Sequence, residues 1–161
     1  MKRAIISFVL GGGIGIAAGF ILGIFAYPYI FLADIVAEEK LENVADRNLV
    51  ATGTFIHANP SDPIHYGSGG VTVYADVVHL ADDFEVGPGP AYHIYLVPLE
   101  DITPGTQVDQ TMYVDLGRLR AFKGSQVYPI PAGIELKQYD HVVVWCERFG
   151  VLISPAKLEF K

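Results

Sequence analysis

The sequence predicts an all-β domain, a sandwich-like antiparallel fold of about eight short strands, carried on one N-terminal transmembrane α-helix with a short juxtamembrane helix between them. Three observations lead there. No charged residue stands between Arg3 and Asp34. From Leu49 onward, short apolar runs rich in β-branched and aromatic residues are broken repeatedly by Gly, Pro, Asn and Asp, which is how strands and tight turns read. The stretch Tyr139 to Leu158, YDHVVVWCERFGVLISPAKL, holds the only Cys and the only Trp and reads as two core strands.

At 161 residues the chain suits one globular domain plus an appendage, and a domain of that size buries enough surface to be stable without disulfide staples. The formal charge is −7. Setting aside Lys2 and Arg3 leaves nine basic residues against all 18 acidic ones, so the part beyond Asp34 carries −9. Such a domain repels phosphate backbones, which argues against nucleic acid as a partner.

The first element, residues 1–33, is the anchor. Its uncharged stretch from Ala4 to Ala33 exceeds the roughly 20 residues that a membrane helix needs. It is also longer than the about 7–15 apolar residues of a cleaved signal peptide, and no clear small-residue cleavage site follows. Lys2 and Arg3 on one flank, with Asp34, Glu38 and Glu39 on the other, place the N-terminus in the cytoplasm and the domain on the periplasmic or extracellular side of the cytoplasmic membrane. Tyr27, Tyr29 and Phe31 fall at the outer headgroup layer, and Pro28 among them bends or ends the helix. Gly11, Gly15, Gly19 and Gly23 recur at four-residue steps, so one helix face is nearly bare backbone, a surface that lets another transmembrane helix approach closely. The partners expected are therefore the lipid bilayer and other helices of a membrane complex.

Residues 34–48, DIVAEEKLENVADRN, are acidic and rich in helix formers, with Ile35, Leu41, Val44 and Ala45 at loosely helical spacing. They predict a short helix or stalk, capped by Asp34. Residues 49–161 form the β domain, with strands expected at 49–57, 70–80, 91–97, 111–116, 126–130, 141–146, 151–154 and 157–160. Pro155 is expected to stop the penultimate run, because proline cannot donate to a ladder. NPSDP, GSGG, GPGP, TPGT and PAG serve as turns.

Candidate chemistry is sparse. His57, His65, His79, His93 and His141 match no zinc-protease, zinc-ribbon or haem-attachment spacing, although a folded sheet can gather residues that the sequence separates. The residues after Cys146, Glu-Arg-Phe-Gly, offer neither the His nor the Met of a blue-copper site. GSGG lacks the helix and lysine of a phosphate loop, and Asp82, Asp83 and Glu85 read as a solvated turn that a hard cation could also occupy. No metal, cofactor or catalytic residue is expected from this chain alone, and it is not expected to be an enzyme.

Cys146 is the exception to be weighed. In an extended strand it shares a face with Val142 and Val144, while Trp145 faces the other way with Val143. One reading makes it a buried small hydrophobe. The other makes it a reactive thiol, with Arg148 two residues on favouring the thiolate. A single sulfur cannot cycle as a dithiol, so any disulfide would be intermolecular.

Gly53-Thr54-Phe55, Gly70-Val71-Thr72-Val73, the run from Leu80 through Phe84 to GPGPAYHIYL, and YDHVVVWCERFGVLISPAKL together resemble the DM-thirteen domain family, often labelled electron-transfer DM. The resemblance covers about Leu49 to Leu158, and its most specific part is Trp145-Cys146, Phe149 and Ala156-Lys157-Leu158. It implies a β-sandwich and a redox role, since relatives are fused to haem-binding DOMON modules and b-type cytochromes, and it implies Cys146 as the candidate redox thiol. Where the family commonly has Gly-Pro-Asp before its central Tyr strand, this chain has Gly89-Pro90-Ala91. No cytochrome is fused within these residues, so a redox cofactor is expected from a partner.

The expectation is a membrane-anchored extracytoplasmic accessory subunit of an electron-transfer assembly, respiratory or photosynthetic, with a structural or redox-linked role. The alternative is a redox-active domain working through Cys146 or a bound metal or haem.

Overall fold

A computed structural model describes residues 2–161. Helix α1 (Lys2–Tyr27) continues through a single π-helical turn, Pro28–Leu32, and the whole stretch is long and apolar enough to cross a membrane. The change of winding at Pro28 falls where proline removes a backbone donor. The large apolar side chains of α1, such as Phe8, Ile14, Ile16 and Phe20, are exposed rather than packed on the domain. A Cβ added at Gly11, Gly15, Gly19 or Gly23 would meet nothing within 4 Å, so the glycine face is bare.

The remaining chain is a ten-stranded β domain: β1 (Val36–Glu38), β2 (Leu49–Phe55), β3 (Gly67–Tyr74), β4 (Val77–Leu80), β5 (Glu85–Val86), β6 (Tyr92–Val97), β7 (Val114–Arg118), β8 (Lys123–Pro129), β9 (His141–Cys146) and β10 (Val151–Phe160). The sheet runs β1-β8-β4-β3-β2-β10-β9-β6-β7, with β5 bridging β3 and β8. All pairings are antiparallel except β1 with β8. The sheet curls so that Phe55, Val73 and Leu80 from one half and Ile94, Leu96, Val142 and Val144 from the other enter one core, the sandwich-like arrangement expected.

Both faces of β9 are buried, as its unbroken apolar run requires. Val142, Val144 and Cys146 face the main core. Val143 and Trp145 face a second cluster with Tyr95, Val97, Val108 and Leu152, which the connection between β6 and β7 covers through Leu99, Ile102 and Tyr113.

Three local expectations are corrected. The juxtamembrane residues 34–48 are not a helix: they form β1 and one 3-10 turn, Val44–Asp46. The cause is non-local. Glu39 reaches Arg120 with both carboxylate oxygens at 2.6 Å, and its Oε2 accepts the Val127 amide at 2.9 Å, which pins the segment along β8. GSGG is not a turn, because Gly67 and Ser68 pair with β5 while Gly69 and Gly70 pair with β2. Gly69 lies at φ +102, and a Cβ there would collide with the Asp83–Phe84 backbone, so this strand position requires glycine.

Pro155, finally, does not stop β10. Its carbonyl accepts the Ile56 amide at 3.1 Å, so the missing N–H falls on the β2 side. The Ile56 carbonyl, which that N–H would have met, accepts the Ser154 hydroxyl at 2.8 Å instead, so the acceptor is not left bare.

Candidate functional site at Cys146

Cys146 closes β9, and the chain then turns sharply through residues 147–150. The Gly150 amide returns to the Cys146 carbonyl at 2.9 Å, with Gly150 at φ +61. Arg148 therefore lies in an exposed turn and does not extend the strand face of Cys146. Glu147 carries the β6–β9 ladder one step further by donating its amide to the Ala91 carbonyl at 3.1 Å. That bond fixes the Ala91–Tyr92 peptide beside the end of β9.

The thiol is held by this arrangement. Cys146 is 2% exposed, and its Sγ donates to the Pro90 carbonyl oxygen at 3.2 Å. Burial pushes its pKa up from 9.0; the turn amides of Phe149 and Arg148 and the Arg148 charge pull the other way but do not overcome it. At neutral pH this sulfur is a thiol, not a thiolate.

The same sulfur lines a mainly apolar cavity of about 230 Å³ with Tyr29, Ile64, Pro88, Tyr92, Phe149 and Val151. The GPGP run forms one wall. A Cβ on Gly89 would collide with the Tyr92 ring, so only glycine lets the loop lie this close. Burial pushes the Tyr92 phenol well above the ordinary tyrosine range, keeping it neutral. Tyr29 belongs to the last turn of the apolar helical stretch, so the cavity lies on the side of the domain that meets that helix.

Ala91 lies at φ +54, in the left-handed region. Asn and Asp tolerate that conformation better than Ala does. An Asp at this position would therefore have a backbone reason to be there, apart from any chemistry.

The histidines are dispersed. His57 Nε2 meets the Asp62 carbonyl at 2.7 Å, and His65 Nδ1 meets Asp62 Oδ2 at 2.6 Å. The hydrogen bonds from His65 and from the Ile64 amide hold the Asp62 carboxyl at about 2. His141 bonds the Leu99 carbonyl, and burial depresses it, as it does His79. The expected acidic turn is structural: Asp83 accepts the Gly70 amide, and Glu85 pairs with Lys123. One histidine does acquire company, since His93 stands between Asp115 and Glu147, a grouping drawn from three separate stretches that spacing alone could not reveal. Sequence reasoning also missed Pro90, which the β6–β9 pairing brings to Cys146, and Tyr29, which reaches the cavity from the end of the apolar helical stretch.

The glycines expected to pack helices, Gly11 to Gly23, lie on α1 and are not brought to this cavity as a set. Compared with known proteins, the chain matches the family model described as Electron transfer DM13 over residues 60–158. No curated protein and no solved structure matches it.

Proposed function

Because the chain belongs to the Electron transfer DM13 family, we propose that it serves electron transfer as a membrane-anchored, non-catalytic accessory subunit, holding its Cys146 cavity against the membrane face of a partner complex. The observation that carries this reading is the placement of that cavity, whose wall combines Cys146 and Tyr92 of the domain with Tyr29 at the end of the apolar helix. A module reading a partner from solution has no need to turn a mainly apolar recess toward its own anchor.

Two further features support it. The Glu39–Arg120 pair and the β1–β8 pairing fasten the juxtamembrane segment to the sheet, so the domain is held by its stalk rather than swinging on a linker. An added Cβ at Gly11 or Gly15 of α1 meets nothing within 4 Å, which leaves that part of the glycine face open to another helix. The flanking charges, Lys2 and Arg3 against Asp34, Glu38 and Glu39, favour an N-terminus in the cytoplasm and a periplasmic or extracellular domain. Cys146, as a buried neutral thiol, acts in this reading as cavity wall rather than as nucleophile.

The test is purification of the full chain from its native membrane under mild detergent. Co-purifying chains with a haem or other redox chromophore in the absorption spectrum are the expected result. Recovery of the protein alone, without partner or chromophore, would overturn the reading.

A further inference from the structure

We propose that His93 and Glu147 form a binding site for one divalent first-row transition ion of the zinc or copper class, oriented by Asp115 and Tyr95. The site lies on the face of the sheet opposite the Cys146 cavity and does not depend on the assembly proposed above.

The sheet builds this grouping deliberately. His93 of β6 stands opposite Trp145 of β9, and Glu147, two residues beyond Trp145, falls on the same face. Asp115 arrives through a β-bulge: the β6–β7 register shifts between Ile94 and Tyr95, so that Ile94 faces Gly117 and Tyr95 faces Asp115. Gly117 takes φ +118 with open space around it, so the glycine is there for the backbone conformation and not for room. Bulges of this kind re-aim a side chain. Here the shift sets the Asp115 carboxylate 3.0 and 3.1 Å from His93 Nδ1, with Oδ1 also accepting the Gly117 amide at 2.8 Å.

The other ring nitrogen, Nε2, lies 3.3 Å from Glu147 Oε2. Both nitrogens thus face carboxylates, one on each side of the ring. In the tautomer that donates Nδ1–H to Asp115, the Nε2 lone pair points at Glu147 Oε2, and an ion between them would bond to both. An ion about 2.0–2.1 Å from each of two atoms 3.3 Å apart would see them at roughly 105–110°, the tetrahedral angle. The outer contacts match as well. Metal-bound histidines regularly give their other N–H to a carboxylate, as Asp115 is placed to receive it. Glu147 is steadied at its second oxygen by the Tyr95 hydroxyl at 2.6 Å, on a ring stacked 4.2 Å from Tyr113. Imidazole with carboxylate suits zinc and copper rather than magnesium or calcium, and the partly exposed Glu147 leaves room for water to complete the shell.

The experiment uses the full chain in detergent, stripped with chelator, and titrated at neutral pH with Zn²⁺ by calorimetry and with Cu²⁺ by electron paramagnetic resonance. One ion per chain is expected, with nitrogen hyperfine structure from a single imidazole. His93→Asn should abolish that structure and weaken Zn²⁺ by at least tenfold, and Glu147→Gln, an isosteric change, should also weaken it by at least tenfold. Asp115→Asn and Tyr95→Phe should each weaken binding about 10–100-fold while the single-imidazole signal persists. Absence of stoichiometric binding overturns the proposal, as does binding that both His93→Asn and Glu147→Gln leave unchanged. So does a preference for Mg²⁺ over Zn²⁺, or nitrogen NMR showing His93 doubly protonated at neutral pH and undisturbed by added Zn²⁺.

Discussion

The Sγ of Cys146 donates to the carbonyl oxygen of Pro90 at 3.2 Å, tying the end of β9 to the GPGP loop. This contact revises what the two simplest substitutions should do. Sequence alone argues that Cys146→Ser is the worse change, because a hydroxyl is buried without a partner. With the Pro90 carbonyl in place, Ser keeps an acceptor, and its cost should be on the order of 1 kcal/mol, no more than that of the small cavity left by Cys146→Ala. Denaturant unfolding of both variants decides the order. Native-state maleimide labelling at neutral pH should be slow and should accelerate only as pH rises past the ordinary cysteine value of 9.0, because burial raises the folded-state pKa. Rapid stoichiometric labelling at pH 7 would instead indicate an accessible thiolate.

Ala91 is the residue of the site with a conformational cost. A non-glycine residue without a helpful side chain at φ +54 is strained, and Asn relieves that strain while leaving the Glu147–Ala91 ladder bond untouched. Ala91→Asn should therefore stabilise the domain by about 0.4–1 kcal/mol, seen as a higher urea midpoint at unchanged slope. A lower midpoint would mean that the Cβ-bearing turn is held by contacts the larger side chain disrupts.

On α1, Gly15→Leu and Gly19→Leu enlarge side chains at positions where an added Cβ meets nothing within 4 Å, although Gly19 also lines a cavity with Gly89, Pro90 and Arg118. The soluble domain should unfold at the same denaturant concentration in both variants, while recovery of partner chains in the native purification should fall. Unchanged recovery in both would separate the glycine face from assembly.

How far the sequence could be read depended on the range of the forces involved. The alternation that puts Val142, Val144 and Cys146 on one face and Val143 and Trp145 on the other is a local property of an extended chain, and β9 is found at the residues expected. The juxtamembrane segment misled because its helical spacing is also local, whereas the force that decides it, Glu39 with Arg120, joins residues 81 apart. Pro155 misled for a subtler reason: the acceptor its missing N–H would face, the Ile56 carbonyl, takes the Ser154 hydroxyl instead, a substitution visible only in the fold. His93, Asp115 and Glu147 could not be grouped at all, since their meeting depends on a strand order and on one bulge in β7.

The Glu39–Arg120 pair gives the domain a pH dependence whose sign can be worked out. Burial opposes ionisation of Glu39, but the Arg120 guanidinium, bound at both oxygens, and the Val127 amide outweigh it and hold the carboxyl below its ordinary 4.5. A carboxyl whose folded pKa lies below its unfolded one adds stability above the unfolded value and loses it as pH falls through the folded value. The contribution is thus full at pH 7 and fades below 4.5. Both side chains are about two-fifths exposed, at 43% and 37%, so solvent screening limits the pair to about 0.5–1 kcal/mol. Glu39→Gln keeps an oxygen for Val127 and removes only the charge, so it should lower stability by that amount at pH 7 and converge with the unmodified chain in acid. Asp62, held at about 2, titrates in both proteins and cancels in the difference. Urea unfolding of the two chains from pH 7 down to about pH 3, followed in detergent, measures the gap; two curves that stay parallel across the range would show that Arg120 does not stabilise the charged form of Glu39.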